Sequence, residues 1–292
     1  MEKYITLAVG GKHIKLPNSW DTIAPADFLT IVEALADLYG GSITPNEVLC
    51  RYTCSALGLD MARIVKNHHA PDLLAIAQRV TFIFTPSAPV LAPSGASVQP
   101  QLTPNLTFAR QFLPQIASHA AYTIGTQCGH LTCSLTALQY IEAIDALRAG
   151  EQQLPLLAAI LYAPHPYDTT QALDLVPLMS RQSPLHLLAV KVIFQALVNF
   201  LYTRTHFSLL AQFKPAKSSP IATTMADTLF DLATEGYGTV EQVEQMNVIT
   251  FLSIMRKKTI DTVRSMRSME ISTPDIAART GLPLPIINDI VH

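Results

Sequence analysis

Charge is scarce in this 292-residue chain: 14% of its residues are Asp, Glu, Lys or Arg, while 49% are hydrophobic. An average soluble domain carries about a quarter charged residues. With so few charged side chains to face water, part of the apolar surface is expected against another protein, so the composition points to assembly before chemistry. The two signs nearly cancel, 20 basic against 22 acidic for a net charge of -2, which excludes a global basic field for nucleic acid and an acidic tail. Cysteine is scarce too. Four residues with no framework spacing fit a reducing cytoplasm. The start, MEKYITLAVGGKHIKLP, has an early acid and no long apolar run, so no secretory leader is expected. Neither common phosphate-binding glycine loop is present, and Gly236-Tyr237-Gly238 is too short to be one.

The most apolar stretch, Leu185 to Tyr202, carries Lys191, Gln195 and Asn199 four residues apart. A bilayer span of about 20 apolar residues tolerates a central Lys poorly. The expectation is a core helix with one polar stripe, and no membrane contact. Near the N-terminus, two weakly alternating runs flank Gly10-Gly11, a hairpin signal. Helical punctuation then repeats. Pro25 opens a helix to Tyr39, and the capping box Thr44-Pro45-Asn46-Glu47 opens one to Leu57. Pro71 opens one to Phe84, and Thr132 or Ser134 opens one to Leu147. Leu154 to Tyr162 is a short apolar helix, Ser183-Pro184 caps the long one, and Ser219-Pro220 caps another to Glu235. A second capping box, Thr239 to Gln242, opens a run to Met269. Between Thr85 and Asn105 there are five prolines and no charge, the composition of an extended linker.

The expected fold class is mainly α, helical bundle lobes with a small N-terminal β-hairpin. The expected division is a hairpin plus helical lobe over 1–84, a Pro-rich linker over 85–105, a helical domain over 106–270 and a C-terminal helical hairpin over 271–292.

Candidate sites are few. Cys128 and Cys133, with Cys50 and Cys54, form a weak metal candidate, because three and four intervening residues depart from the tight cysteine pairs of structural zinc sites. Small buried side chains are the plainer reading, and neither metal nor cofactor is expected. His68-His69 fits a helix cap. His165 and Asp168 flank Tyr167 without a nucleophile motif, so no enzyme activity is expected. Arg256, Lys257, Lys258, Arg264 and Arg267 form the one basic patch. Thr273 to His292 has the outline of a helix-turn-helix: Ala277, then Gly281 four residues later, among Ile276, Leu282, Ile287 and Ile290. Its second helix offers Pro283, Leu284, Pro285 and Asp289 where base-reading side chains belong, so packing is the expected role.

Several features in chain order resemble proteins encoded among the tail-morphogenesis genes of tailed bacteriophages and prophages. They are the hairpin leading into Leu16-Pro17-x-x-Trp20 with Pro25-Ala26-Asp27-Phe28-Leu29, and Phe112-Leu113-Pro114 through Tyr122 and Gly125 to Tyr140-Ile141-Glu142-Ala143. Next come Leu156 to Tyr162 with Pro164 and Tyr167-Asp168, and then Gly238-Thr239-Val240-Glu241 with Met246. The segment from Met269 onward departs from that pattern. The resemblance implies a noncatalytic helical protein, a tail-assembly chaperone or minor structural component. It would work in the host cytoplasm during assembly, with a place in the virion left open. Its partners would be the tape-measure or tube protein, or its own copies. The contact is expected at Phe251, Leu252 and Met255, read as exposed, with Arg256, Lys257 and Lys258 orienting it. The alternative is a nucleic-acid-binding adaptor using the basic helix and the terminal hairpin, although nucleic acid is the less favoured partner.

Overall fold

The computed structural model describes residues 2–9, 12–86, 102–213 and 225–291. The chain is mainly helical, with a small N-terminal antiparallel hairpin. It divides into two compact units, Met1–Leu113 with Ser183–Ile193, and Pro114–Gln182 with Phe194–His292.

The first unit opens with β1 (Tyr4–Val9) and β2 (Lys12–Pro17), paired from Tyr4↔Pro17 to Val9↔Lys12. That register leaves two residues for the turn, as the Gly-Gly signal requires, although positions 10 and 11 lie outside the described residues. Ile5, Leu7 and Leu16 are buried. Asn18 then clamps the hairpin's exit, accepting from the Thr81 amide at 2.9 Å while its amide group donates to Glu2 O and Thr81 Oγ1, both at 3.2 Å.

Helices α1 (Pro25–Tyr39) and α2 (Pro45–Leu57) begin at their expected prolines. The α2 capping box is formed, with the Thr44 amide donating to the Glu47 carboxylate at 2.7 Å. That backbone hydrogen bond, made only to the charged form, holds the Glu47 carboxyl below its ordinary range. Two short helices follow, α3 (Met61–Lys66), capped by Asp60, and α4 (Ala70–Ala77).

The helix expected from Pro71 to Phe84 ends at Ala77. Phe84–Pro86 instead forms β3, antiparallel to β4 (Leu102–Pro104). Packing overrides the helical period here. The bend that leads into β3 delivers Phe82 to Trp20, ring centroids 4.9 Å apart, and to Tyr52 at 5.4 Å. Trp20 also packs on Phe108 at 4.6 Å, and Phe28 stacks on Phe112 at 4.2 Å. The indole N–H donates to Asn105 O at 2.9 Å. Arg110 donates to the carbonyls of Trp20 and Ile23, each at 2.9 Å, while its guanidinium lies 4.5 Å from the Phe112 ring centre.

This aromatic core corrects the expected boundaries. Residues 102–113 belong to the first unit, not to a linker and a second domain. The Pro-rich segment leaves and re-enters the same two-stranded ladder at Pro86↔Leu102, so it is a loop of the first unit and not the connection between lobes. Residues 87–101 themselves lie outside the described residues. Replacing 87–101 by Asn-Gly, a two-residue hairpin turn, should therefore keep the fold. Shortening the loop should add about 1–2 kcal/mol through reduced closure entropy, read as an unchanged or higher Tm.

The second unit begins with two small hairpins, β5 (Gln115–Ile116) with β6 (His119–Ala120), then β7 (Ile124–Gln127) with β8 (His130–Cys133). The β7–β8 turn is Cys128-Gly129, with φ of 50° and 79°, the left-handed pair that a primed two-residue turn requires. Because β8 occupies 130–133, the helix expected to start at Thr132 or Ser134 starts later, as α5 (Ala137–Arg148). It is opened by a Thr136–Gln139 capping box, the same T-x-x-Q spacing as at Thr239 to Gln242. Next come α6 (Leu154–Leu161) and α7 (Thr169–Met179), and then the long α8 (Pro184–Arg204), whose residues up to Ile193 belong to the first unit. α8 is the one helix among the described residues long and apolar enough to cross a membrane, and 56% of its most apolar window is buried. Its row Lys191, Gln195 and Asn199 is half-buried, with Gln195 donating to Asn199 at 3.0 Å.

The chain closes with α9 (Ser208–Gln212), α10 (Met225–Thr234), α11 (Val240–Glu244), α12 (Val248–Ser268), α13 (Thr273–Thr280) and α14 (Leu284–Val291). The cap expected at Ser219-Pro220 lies outside the described residues. The run expected from Thr239 to Met269 is two helices, because Asn247 is recruited as the N-cap of α12, accepting from the Ile249 amide at 3.0 Å. The Asn247 amide group also donates to Cys133 O at 2.6 Å. With Ala137 N to Met246 O at 2.7 Å and Val248 N to Leu135 O at 2.9 Å, this clasp joins the start of α5 to the start of α12. The last two helices are not a separate unit. Ile276, Leu282 and Ile287 are buried together with Val263 of α12 and Leu209 of α9.

Candidate partner-binding site

The residues expected to carry a partner contact separate into two groups. Phe251 and Leu252 are 0% and 1% exposed, so their reading as exposed contact residues is corrected. They belong to the core of the second unit, and Met255 is half-buried. The physical reason is the clasp at Asn247, which turns this face of α12 inward. Lys257 is held by Asp261 at 2.8 Å, and that hydrogen bond raises the affinity of its amine for the proton. Lys258 is held by Glu235 at 2.5 Å. Both lysines are therefore matched by a carboxylate.

Arg256 is different. It lines an open cleft of about 410 Å³ in the second unit with Arg264, His206, Asp289 and the aliphatic side chains of Leu209, Ile260, Ile286 and Ile290. Arg256, Ile260 and Arg264 follow one another at four-residue steps on α12, one row of the helix face. The Arg256 Nε donates to His206 O at 3.1 Å, and the Arg264 Nε donates to Ile290 O at 3.3 Å. Each guanidinium is thus oriented through Nε, and its Nη donors make no further hydrogen bond among the described residues. Desolvation, assisted by the Arg256 charge, lowers the proton affinity of His206, which favours its neutral form beside the two arginines.

The remaining candidates resolve into structural parts. Cys128 is exposed at the β7–β8 turn, and Cys133 is buried at the opposite end of β8. Strand rise puts them about 10 Å apart or more along the arm, whereas two sulfurs on one zinc lie within about 4.6 Å. Cys50 and Cys54 are buried one turn apart on α2 of the other unit. Burial raises the thiol pKa of both, and pushes Cys133 up to about 11, so these three are poor ligands or nucleophiles. Among the described residues no group of three or more His, Cys, Asp or Glu is placed to hold a metal ion.

His68, at positive φ just after α3, and His69 close the C-terminus of that helix as expected, His68 N donating to Val65 O and His69 N to Ile64 O, both at 3.1 Å, while the His69 Nδ1 lies 3.3 Å from Asp72. His165 is exposed. Asp168 caps α7 by accepting from the Gln171 amide at 2.9 Å. Tyr167 donates to the Glu142 carboxylate, which also accepts from Thr169 at 2.7 Å, and Gln245 donates to Tyr167 O at 2.7 Å. Glu142 and Gln245 thus tie α5, the start of α7 and the segment after α11 together. This role was invisible in the sequence because its partners lie 25 and 78 residues apart.

No protein-family profile, no curated protein and no solved structure matches this chain.

Proposed function

We propose that this protein is a noncatalytic assembly factor, a tail-assembly chaperone or minor structural component of a tailed phage or phage-like particle. In this reading its two units serve as small helical-bundle lobes that hold a partner's segment or a second copy. The observation that carries the reading is the cleft of the second unit. Two oriented arginines flank isoleucine side chains there, and among the described residues no carboxylate is bound to either, which is the makeup of a protein-contact site. The order of motifs along the chain supplies the phage context. Cys133, Tyr140 and Tyr167, each shifted upward by burial, sit in packing or structural hydrogen bonds, and none of the three pairs a nucleophile with a base.

The nucleic-acid reading draws less support. Two of its lysines are occupied by Asp261 and Glu235, and the helix that would enter a groove carries Leu284, Pro285 and Asp289 in place of base-reading side chains.

Light scattering coupled to size exclusion, run on the chain alone and mixed with the tape-measure or tube protein, tests the proposal. Self-association or a stable complex is expected. A monomer that ignores both proteins overturns it.

A further inference from the structure

We propose that the cleft formed by α9, α12 and α14 docks an acidic amphipathic helix of a partner, with two carboxylates about 12 Å apart received by Arg256 and Arg264. This rests on the assembly reading above and adds the chemistry of the partner segment. The spacing comes from α12 itself, since residues eight apart on one helix are separated by about 12 Å of rise. A partner helix lying along α12 presents the same separation when its acids stand at positions i and i+8. The apolar positions between them then meet Ile260, Ile286 and Ile290, which are all half-buried and line the cleft with the two arginines.

Three observations select a carboxylate-bearing peptide. Both guanidiniums are already fixed by donation from Nε to a main-chain carbonyl, so little side-chain freedom is lost when the outer Nη pair closes on a carboxylate. Lys257 and Lys258, the cations next to Arg256 on α12, already hold Asp261 and Glu235, so attraction at that end of the cleft is concentrated at Arg256. Finally, Asp289 lies in the same cleft and opposes a continuous run of negative charge. A phosphate backbone would meet that repulsion along its length and would leave the isoleucines without an apolar partner, whereas two discrete carboxylates on an apolar helix lessen the first cost and avoid the second.

The test uses the full chain and a labelled 14-residue helical peptide with Glu at positions 3 and 11 and Leu or Ile on the same face between them. Fluorescence anisotropy compares it with the Glu→Gln peptide and with a duplex DNA. The Glu peptide should bind about tenfold or more tightly than the Gln peptide, with an affinity that falls as salt rises. The Arg256→Gln/Arg264→Gln protein should lose that preference. Asp289→Asn, a change at an exposed side chain, should tighten binding of the Glu peptide, and it decides the matter if the double variant fails to fold. Equal binding of the two peptides, binding of neither, an unchanged affinity in Asp289→Asn, or tighter binding of DNA than of peptide overturns the proposal. Assembly seen by light scattering together with no peptide binding would overturn the cleft assignment alone.

Discussion

Trp20→Ala should cost about 3–5 kcal/mol of stability, read by urea denaturation monitored by far-ultraviolet circular dichroism. Trp20 is 5% exposed and touches Phe28, Phe82 and Phe108, rings that arrive from three separate stretches of the chain. Its indole also holds Asn105 O, so truncation strands a carbonyl as well as opening a cavity. Trp20→Phe should recover part of the packing and none of the hydrogen bond, and should fall between the two. A loss below about 0.5 kcal/mol for Trp20→Ala, the size of an ordinary surface change, would contradict this core. The same packing predicts that a fragment ending at residue 86 does not fold, because Phe108 and Phe112 are missing from it. Under a linker reading of the Pro-rich segment that fragment would be an independent lobe.

Phe251→Ala should be comparably damaging, again about 3–5 kcal/mol, and the loss should appear in the isolated protein with no partner present. Phe251 is fully buried beside the Asn247 clasp, where α12 meets α5 and β8. A contact residue on the surface would instead leave stability unchanged and weaken assembly. The single Trp of the chain lies in the first unit, so its fluorescence is a local reporter there. If the two units melt separately, the Phe251→Ala loss should appear in circular dichroism before Trp20 fluorescence responds. Coincident loss would mean that they melt together.

These two residues also mark where the sequence was legible. Helix starts written in local chemistry were readable: Pro25, the Thr44–Glu47 box and the Thr239–Gln242 box each act within one turn. Endings set by distant packing were not. Val80 to Phe84 carries apolar residues that suit a helix, but Trp20 and Tyr52, far back in the chain, draw Phe82 into a bend that leads into β3. The short strands β5 to β8 are two to four residues long, too brief for a two-residue period to register. On α12 the pattern announced an apolar face, yet an amphipathic helix looks the same whether that face meets its own core or a partner. The Asn247 clasp to Cys133, 114 residues away, decides it. The basic cluster was legible as composition. That Glu235 occupies Lys258, while Arg256 and Arg264 keep their outer donors, depends on contacts the linear pattern does not contain.

The pairing of Pro86 with Leu102 has a practical reach beyond the native fold. Two chain ends held at one rung of a ladder are a splice point, and the rings of the first unit's aromatic core all come from residues outside the stretch that joins them. A fluorescent domain or affinity tag whose own termini lie close together should be accommodated there with the Trp20 cluster intact. The natural chain would then carry a ready-made port for labelling the protein inside whatever assembly it enters.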